Sequence, residues 1–370
     1  MQKREARYKI IISGGGTGGH IFPAIAIADT FRELVPSAEI LFVGASDRME
    51  MQKIPEAGYE IIGLWISGFQ RKLSFKNLLV PFKVLSSIQK SKSVIRKFKP
   101  DAVVGVGGYA SGPLLYVASS RNIPTLIQEQ NSYAGITNKI LRKRVDKICV
   151  AYEKMERFFP AEKLIMTGNP VRTDIRNLEE KREEALQAFN LDPDKKVILV
   201  IGGSLGARTI NETLIKNISK LLDEGLQILW QTGVSQFEMI KEKTGDLQGV
   251  VVTAFIKKMH LAYAAADLVV SRAGALAISE LCIVRKPSIL VPSPFVVEDH
   301  QTKNAYALVE KKAAILVADK NLEQQLVPEI LRLIGDEEKM NTLKNNIGQL
   351  AKPDASQRIA EEIIKMIESH

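Results

Sequence analysis

Two glycine-rich stretches, each placed directly after an apolar, β-branched run, hold the residue types best suited to gripping phosphate. Tyr8–Ile12 leads into Gly14-Gly15-Gly16-Thr17-Gly18-Gly19-His20, and Val197–Ile201 leads into Gly202-Gly203-Ser204-Leu205-Gly206. Glycines at a strand-to-helix turn let the backbone approach a ligand, and unpaired N–H groups with the helix dipole favour an anion there. A tight turn that only packs helix on strand explains one such loop about as well, but two loops in matching places weaken that account. His20 stands at the mouth of the first loop, ahead of Pro23, which suits the first position of a helix; an imidazole there either exchanges protons near neutral pH or caps the helix.

The first loop satisfies the dinucleotide spacing with Gly14, Gly16 and Gly19. The second strand nevertheless ends in Val43-Gly44-Ala45-Ser46, with no acidic residue placed to hold a ribose, so a nicotinamide cofactor is not expected. A Walker loop fails too, because His20 and Ile21 stand where Lys and Ser or Thr are needed.

These loops need parallel sheets to present them. Short apolar segments at Lys9–Ile12, Ile40–Val43, Ala102–Val106, Pro124–Gln128 and Lys147–Ala151, then Val197–Ile201, Leu226–Gln231, Val250–Thr253, Leu268–Ser271 and Ser288–Val291, alternate with helical patterns. The fold class expected is α/β, with two tandem Rossmann-like doubly wound domains and an interdomain cleft. The boundary is placed at Gly168-Asn169-Pro170, since proline biases its predecessor away from helix. Residues 1–167 form the first domain, joined by a C-terminal helix at 355–370 with Ile359, Ile363, Ile364 and Ile367 in period, and residues 168–354 form the second.

With 370 residues, 45% hydrophobic and 25% charged, the chain has the composition of a globular protein. No apolar run approaches the roughly 18 residues of a membrane span, and Ser13 cuts the N-terminal apolar stretch too short for a signal peptide. Cys149 and Cys282 lie in apolar strings without metal-ligand spacing and read as buried thiols. Residues 1–167 hold 25 basic side chains against 14 acidic, and residues 168–370 hold 26 against 28. The first domain therefore carries the excess that gives the chain its net charge of +9. Within it, Leu64–Lys83 mixes Trp65, Phe69, Phe75, Leu79 and Phe82 with Arg71, Lys72, Lys76 and Lys83, a composition suited to an anionic membrane surface, where each basic group contributes about 1 kcal/mol. The bland alternative makes Phe75, Leu78, Leu79 and Phe82 core positions of a helix pair, interrupted by Pro81.

Further motifs sit at strand ends, where doubly wound folds bind ligands: Gly105-Val-Gly-Gly-Tyr-Ala-Ser-Gly-Pro113, Gln128-Glu-Gln-Asn131, Gly168-Asn-Pro-Val-Arg172, Ser271-Arg-Ala-Gly-Ala-Leu-Ala-Ile-Ser-Glu280 and Asp299-His-Gln-Thr-Lys-Asn304. In this order, with both glycine loops, the set closely resembles the MurG family of peptidoglycan N-acetylglucosaminyltransferases, of the GT-B fold, over residues 9 to about 305. The resemblance implies an inverting hexosyltransferase that moves GlcNAc from UDP-GlcNAc to a lipid-linked muramyl-pentapeptide at the cytoplasmic face of the bacterial inner membrane, as a peripheral protein in the company of wall-building and division machinery.

It also implies roles. Gly203 and Ser204 take the diphosphate, the backbone at Ile256 meets uracil, and Glu280 accepts from the ribose, with Ala275, Leu276, Ala277, Ile278 and Ser279 lining the pocket. Thr17, Gly18, Gly19, Asn131, Arg172 and Gln301 reach the donor sugar or its phosphates, while Gly107, Gly108 and Tyr109 form an acceptor loop. His300 and Leu205 depart from residues common in the family. By local chemistry alone, Glu280 in an apolar helix start needs donors, such as a ribose diol, unless it lies in a solvated turn; Arg172 clamps phosphate or ties a linker to a nearby acid.

Transfer from a diphosphate requires stabilised negative charge and a base for the acceptor hydroxyl. His20 is the first candidate base and Glu129 the reserve. The Asp192-Pro193-Asp194 stretch reads as a turn, so no metal or other cofactor is expected, and loop N–H groups carry the charge. The competing readings are another GT-B enzyme, a UDP-sugar epimerase or glycolipid glucosyltransferase, and a non-catalytic nucleic-acid-binding module exploiting the Arg71–Lys99 charge. Nucleic acid is not the expected partner, because that reading leaves both glycine loops unexplained.

Overall fold

The computed structural model describes residues 7–68, 79–175, 178–203, 205–245, 247–296 and 299–370. The chain divides into two compact units, Met1–Arg172 with Pro353–His370, and Thr173–Lys352. The division thus falls after Arg172 rather than after Thr167.

In the first unit a parallel sheet has the order β3-β2-β1-β4-β5-β6-β7. Its strands are β1 (Lys9–Ser13), β2 (Glu39–Ala45), β3 (Glu60–Leu64), β4 (Ala102–Gly105), β5 (Thr125–Glu129), β6 (Lys147–Val150) and β7 (Leu164–Met166). Its helices are α1 (Gly18–Leu34), α2 (Glu50–Glu56), α3 (Val80–Phe98), α4 (Ser111–Ser119) and α5 (Ile136–Leu141). The second unit follows with α6 (Arg182–Ala188), β8 (Val197–Ile201), α7 (Arg208–Asp223), β9 (Gln227–Gln231), α8 (Val234–Thr244), β10 (Val250–Thr253), α9 (Met259–Ala265) and β11 (Leu268–Ser271). It is completed by α10 (Ala275–Val284), β12 (Ser288–Leu290), α11 (His300–Val309), β13 (Ile315–Leu316), α12 (Leu322–Ile334) and α13 (Glu337–Gln349), before the chain closes with α14 (Ala355–Glu368). The second sheet has the order β10-β9-β8-β11-β12-β13, again parallel.

Each sheet reverses direction of growth beside its first strand, β1 or β8, which is the position where such folds bind ligands. Alternation along β1 sends Ile10 and Ile12 into one core with Phe31 of α1 and Ile359 and Ile363 of α14, and Ile11 into another with Val94 of α3 and Leu114 of α4. The C-terminal helix therefore covers the first sheet. In the second unit Val200, Trp230 and Val270 meet Leu214 of α7 and Leu326 of α12.

Three strands absent from the sequence reading, β3, β7 and β13, all lie at sheet edges. Two of them are wholly apolar but very short, three residues in β7 and two in β13, and β3 is broken by Glu60 and Gly63, so none presents a strand-length apolar run. Two prolines were also misplaced by the sequence. Helix α1 begins at Gly18, which puts Pro23 inside it rather than at its first position and brings His20 into its first turn. Pro81 opens α3 rather than interrupting a helix, because a helix start has no need of the N–H that proline lacks.

Candidate active site

The first glycine loop leaves β1 and turns through Gly16 at φ 86°, a left-handed conformation that disfavours any side chain. Gly16, Thr17 and Gly19 are exposed, and His20 is half-buried behind them. The His20 Nδ1 lies 3.0 Å from the Gly15 carbonyl and 3.3 Å from Thr17 Oγ1. A carbonyl oxygen only accepts, so Nδ1 carries the proton and Nε2 is the basic atom. Facing the ring is Gly107, at φ 96°: a Cβ there would come within 2.9 Å of Nε2. The Gly107-Gly108 turn thus exists in glycine because the imidazole and the first loop occupy the space of its side chains, while Tyr109 beside it is exposed.

Glu129 is buried at the end of β5, and both its oxygens serve its own loop. One accepts from the Asn131 N–H at 3.1 Å, the other from the Gly135 N–H at 2.9 Å and Asn138 Nδ2 at 2.8 Å. The reserve base is a loop organiser, and it positions half-buried Asn131. Two motifs distant in sequence prove to be one buried amide network. Gln128 Nε2 donates to Asn169 Oδ1 at 3.0 Å, Asn169 Nδ2 to the Gln130 carbonyl at 3.0 Å, and Gln130 Nε2 to the Val106 carbonyl at 2.8 Å. Arg172, half-buried, ends the first segment of this unit.

The second loop shares one left-handed glycine with the first. Gly203 has φ 86°, like Gly16, and is exposed at the end of β8; its neighbour Ser204 lies outside the described residues. Gln231, buried at the end of β9, donates from Nε2 to the Gly203 carbonyl at 2.9 Å and accepts the Ile256 N–H at Oε1, also at 2.9 Å. The Ile256 N–H is thereby engaged within the protein. Helix α10 starts at Ala275, and Ala275, Leu276, Ala277 and Ser279 are half-buried while Ile278 is buried. Glu280 falls in the second turn of α10 rather than at its start, buried, and accepts from the Tyr263 hydroxyl at 2.9 Å. That donor meets part of the demand a carboxylate makes in an apolar place. Gln301, in the first turn of α11, accepts the Ser293 N–H at 2.8 Å and so closes the loop after β12.

Family models match both units: the glycosyltransferase family 28 N-terminal domain over residues 10–150 and the family 28 C-terminal domain over residues 197–359. The chain belongs to glycosyltransferase family 28. A relative from Parabacteroides distasonis, named UDP-N-acetylglucosamine--N-acetylmuramyl-(pentapeptide) pyrophosphoryl-undecaprenol N-acetylglucosamine transferase, is 55% identical over 98% of this chain and 99% of its own. One of the same name from Flavobacterium psychrophilum is 54% identical over the same shares. The crystal structure of Acinetobacter baumannii MurG aligns with a TM-score of 0.78 at 28% identity, covering 97% of this chain and 100% of that one. A UDP-GlcNAc 2-epimerase from Neisseria meningitidis aligns with a TM-score of 0.66 at 16% identity, over 97% of this chain and 100% of its own, and shares the fold.

In this family 28 chain the apolar and basic residues of the Leu64–Lys83 segment divide in two. Phe69, Arg71, Lys72, Phe75 and Lys76 lie outside the described residues. Of the rest, Trp65 and Leu79 are each 46% exposed and Phe82 64%, so Leu79 and Phe82 are not core positions. Lys83 donates to Ser67 Oγ at 2.9 Å and stands 5.4 Å over the Trp65 ring, which keeps a cation beside an exposed aromatic face. No helix among the described residues is long and apolar enough to cross a membrane. Asp192-Pro193-Asp194 is a turn, with the Asp194 N–H donating to Asp192 Oδ1 at 3.0 Å. Both thiols are buried and pushed up to about 12 by desolvation.

Sequence reasoning missed two residues at these loops, Gln231 and Glu50. Glu50 is fully buried and accepts the Gly16 N–H at 2.9 Å and the Ala45 N–H at 3.0 Å. It sits in the charged string Asp47-Arg48-Met49-Glu50, which looks like surface. The only sequence hint is Gly44 within the apolar strand β2, where a Cβ would lie 2.6 Å from the Glu50 Cγ.

Proposed function

We propose that this chain is an inverting transferase that moves N-acetylglucosamine from UDP-GlcNAc to the 4-hydroxyl of undecaprenyl-pyrophosphoryl-N-acetylmuramyl-pentapeptide. The observation that carries this reading is the match at 54–55% identity, along 98% of the chain, to transferases named for that donor and that acceptor. The second unit holds the donor: the exposed Gly203 turn and the start of α7 receive the diphosphate, the Ile256 carbonyl meets uracil, and Glu280 accepts from the ribose hydroxyls. Ala275–Ser279, Gln301, Asn131, Arg172 and Thr17–Gly19 complete the contacts to sugar and phosphate.

His20 acts as general base. The acceptor oxygen forms its bond to the anomeric carbon as the bond to the diphosphate oxygen breaks, the hydroxyl proton passes to Nε2, and UDP departs with the electron pair. Backbone N–H groups and helix N-termini stabilise the departing charge, and no resident metal takes part. The acceptor stays in the membrane, so Trp65, Leu79, Phe82 and Lys83, together with Phe69, Arg71, Lys72, Phe75 and Lys76 of the same stretch of sequence, are the residues assigned to the anionic cytoplasmic leaflet of the inner membrane. Wall-building and division proteins are the partners expected there.

The test is a transfer assay with UDP-GlcNAc and the lipid-linked muramyl-pentapeptide. It should give a β-linked disaccharide and UDP in equal amounts, with no donor consumed when acceptor is left out. Conversion of UDP-GlcNAc without acceptor would point to an epimerase and overturn the reading.

A further inference from the structure

One peptide group, between Gly15 and Gly16, is hydrogen-bonded at both ends. Its N–H donates to Glu50 Oε2 at 2.9 Å, and its carbonyl accepts from His20 Nδ1 at 3.0 Å. The carboxylate is not there by accident of packing. It is fully buried, its other oxygen holds the Ala45 N–H, and Gly15 leaves it room, since a Cβ on Gly15 would lie 2.0 Å from Glu50 Oε1. The same peptide is closed from another side by Gly108, whose Cβ would lie 2.5 Å from the Gly15 oxygen. Its orientation is therefore set from three directions.

We propose that Glu50 is a positioning residue for His20, acting through this single peptide. An amide whose N–H is held by an anion is polarised, so its carbonyl becomes a stronger acceptor. A stronger acceptor at Nδ1–H fixes that tautomer, orients the ring and concentrates basicity at Nε2, the atom beside Gly107. The arrangement performs the task of a carboxylate bonded directly to imidazole, with one amide inserted between the two groups. Holding the loop alone would not need a charge, since Gln231 holds the matching loop of the second unit with a neutral amide. The Gly16 N–H, spent on Glu50, is withdrawn from ligand binding, which leaves the exposed turn at Thr17–Gly19 to meet phosphate or sugar.

This inference rests on His20 being the base, and the experiment separates the two. The full chain is labelled with 15N-histidine, the His20 ring signals are assigned by their loss in His20→Ala, and the Nδ1–H to Nε2–H ratio is read at a pH where imidazole is neutral. In the wild type the Nδ1–H form should dominate. Glu50→Gln, which keeps the volume and removes the charge, should move the ratio toward Nε2–H and lower kcat by about tenfold or more, with UDP-GlcNAc affinity unchanged. Glu50→Asp should recover part of both effects, and it supplies the readout if Glu50→Gln does not fold. An unchanged His20 ratio in a folded Glu50 variant overturns the proposal whatever happens to kcat. A shifted ratio together with full turnover by His20→Ala leaves the coupling standing and removes the base assignment instead.

Discussion

The two glycine loops share one left-handed turn and have different foundations. Each leaves the first strand of its sheet and passes through a glycine at φ 86°, Gly16 or Gly203. Beneath the first lies a buried carboxylate, Glu50, and beneath the second a buried neutral amide, Gln231. A unit charge about 6 Å from a bound phosphate, at an effective dielectric of about 20, repels it by roughly 3 kcal/mol per unit of charge. A loop whose main duty is to hold a diphosphate is therefore best supported by a group without charge, as in the second unit. A carboxylate suits a loop that carries an imidazole destined to become cationic, as in the first.

That contrast predicts which measurement each substitution moves. The largest effect belongs to His20→Ala, which should lower single-turnover transfer by about 100-fold or more, the usual weight of a general base, while calorimetry shows UDP-GlcNAc affinity intact. Turnover at the wild-type rate would break the assignment of chemistry to the first loop. Next comes Glu280→Gln, with a donor affinity loss of about tenfold, within the range for a hydrogen bond to a charged group. The loss should shrink when 2′-deoxy-UDP-GlcNAc is the ligand, because the two changes then remove one interaction; additive losses would place the ribose elsewhere.

The comparison is sharpest in the pair Gly16→Ala and Gly203→Ala. Both impose the same left-handed strain of about 1–2 kcal/mol with open space at the Cβ position. The first should depress kcat and the second donor affinity, each by roughly tenfold. The reverse pattern would exchange the duties of the two loops. The smallest effect is expected from Phe82→Ala, which should weaken flotation with anionic vesicles by a few-fold and leave transfer to a soluble acceptor analogue unchanged, since Phe82 projects from the surface.

Much of this architecture can be read from residue order. Central strands such as β1, β4, β8 and β11 are buried on both faces and appear as unbroken apolar strings, and Ile359 and Ile363 announce a helix that must cover something. Edge strands β7 and β13 escape because three and two residues are too few to register as a strand, and β3 because Glu60 and Gly63 interrupt its apolar run. At the site the glycines and His20 are visible from their types and spacing, and Glu280 from the family resemblance. Pro23 misled, since its place six residues into α1 is not the usual start of a helix.

The amino-acid order by itself determined the parallel two-unit α/β plan, the pair of strand-glycine-helix turns and the presence of an imidazole at one of them, because those depend on local propensity and periodicity. Only the tertiary structure decided that Gln128, Gln130 and Asn169 form one network, that Glu129 serves its own loop, and that Glu50 and Gln231 lie under the two turns. Those partnerships join strand ends to loops and helices, and a buried polar group is read correctly only when its hydrogen-bond partners in the fold are known.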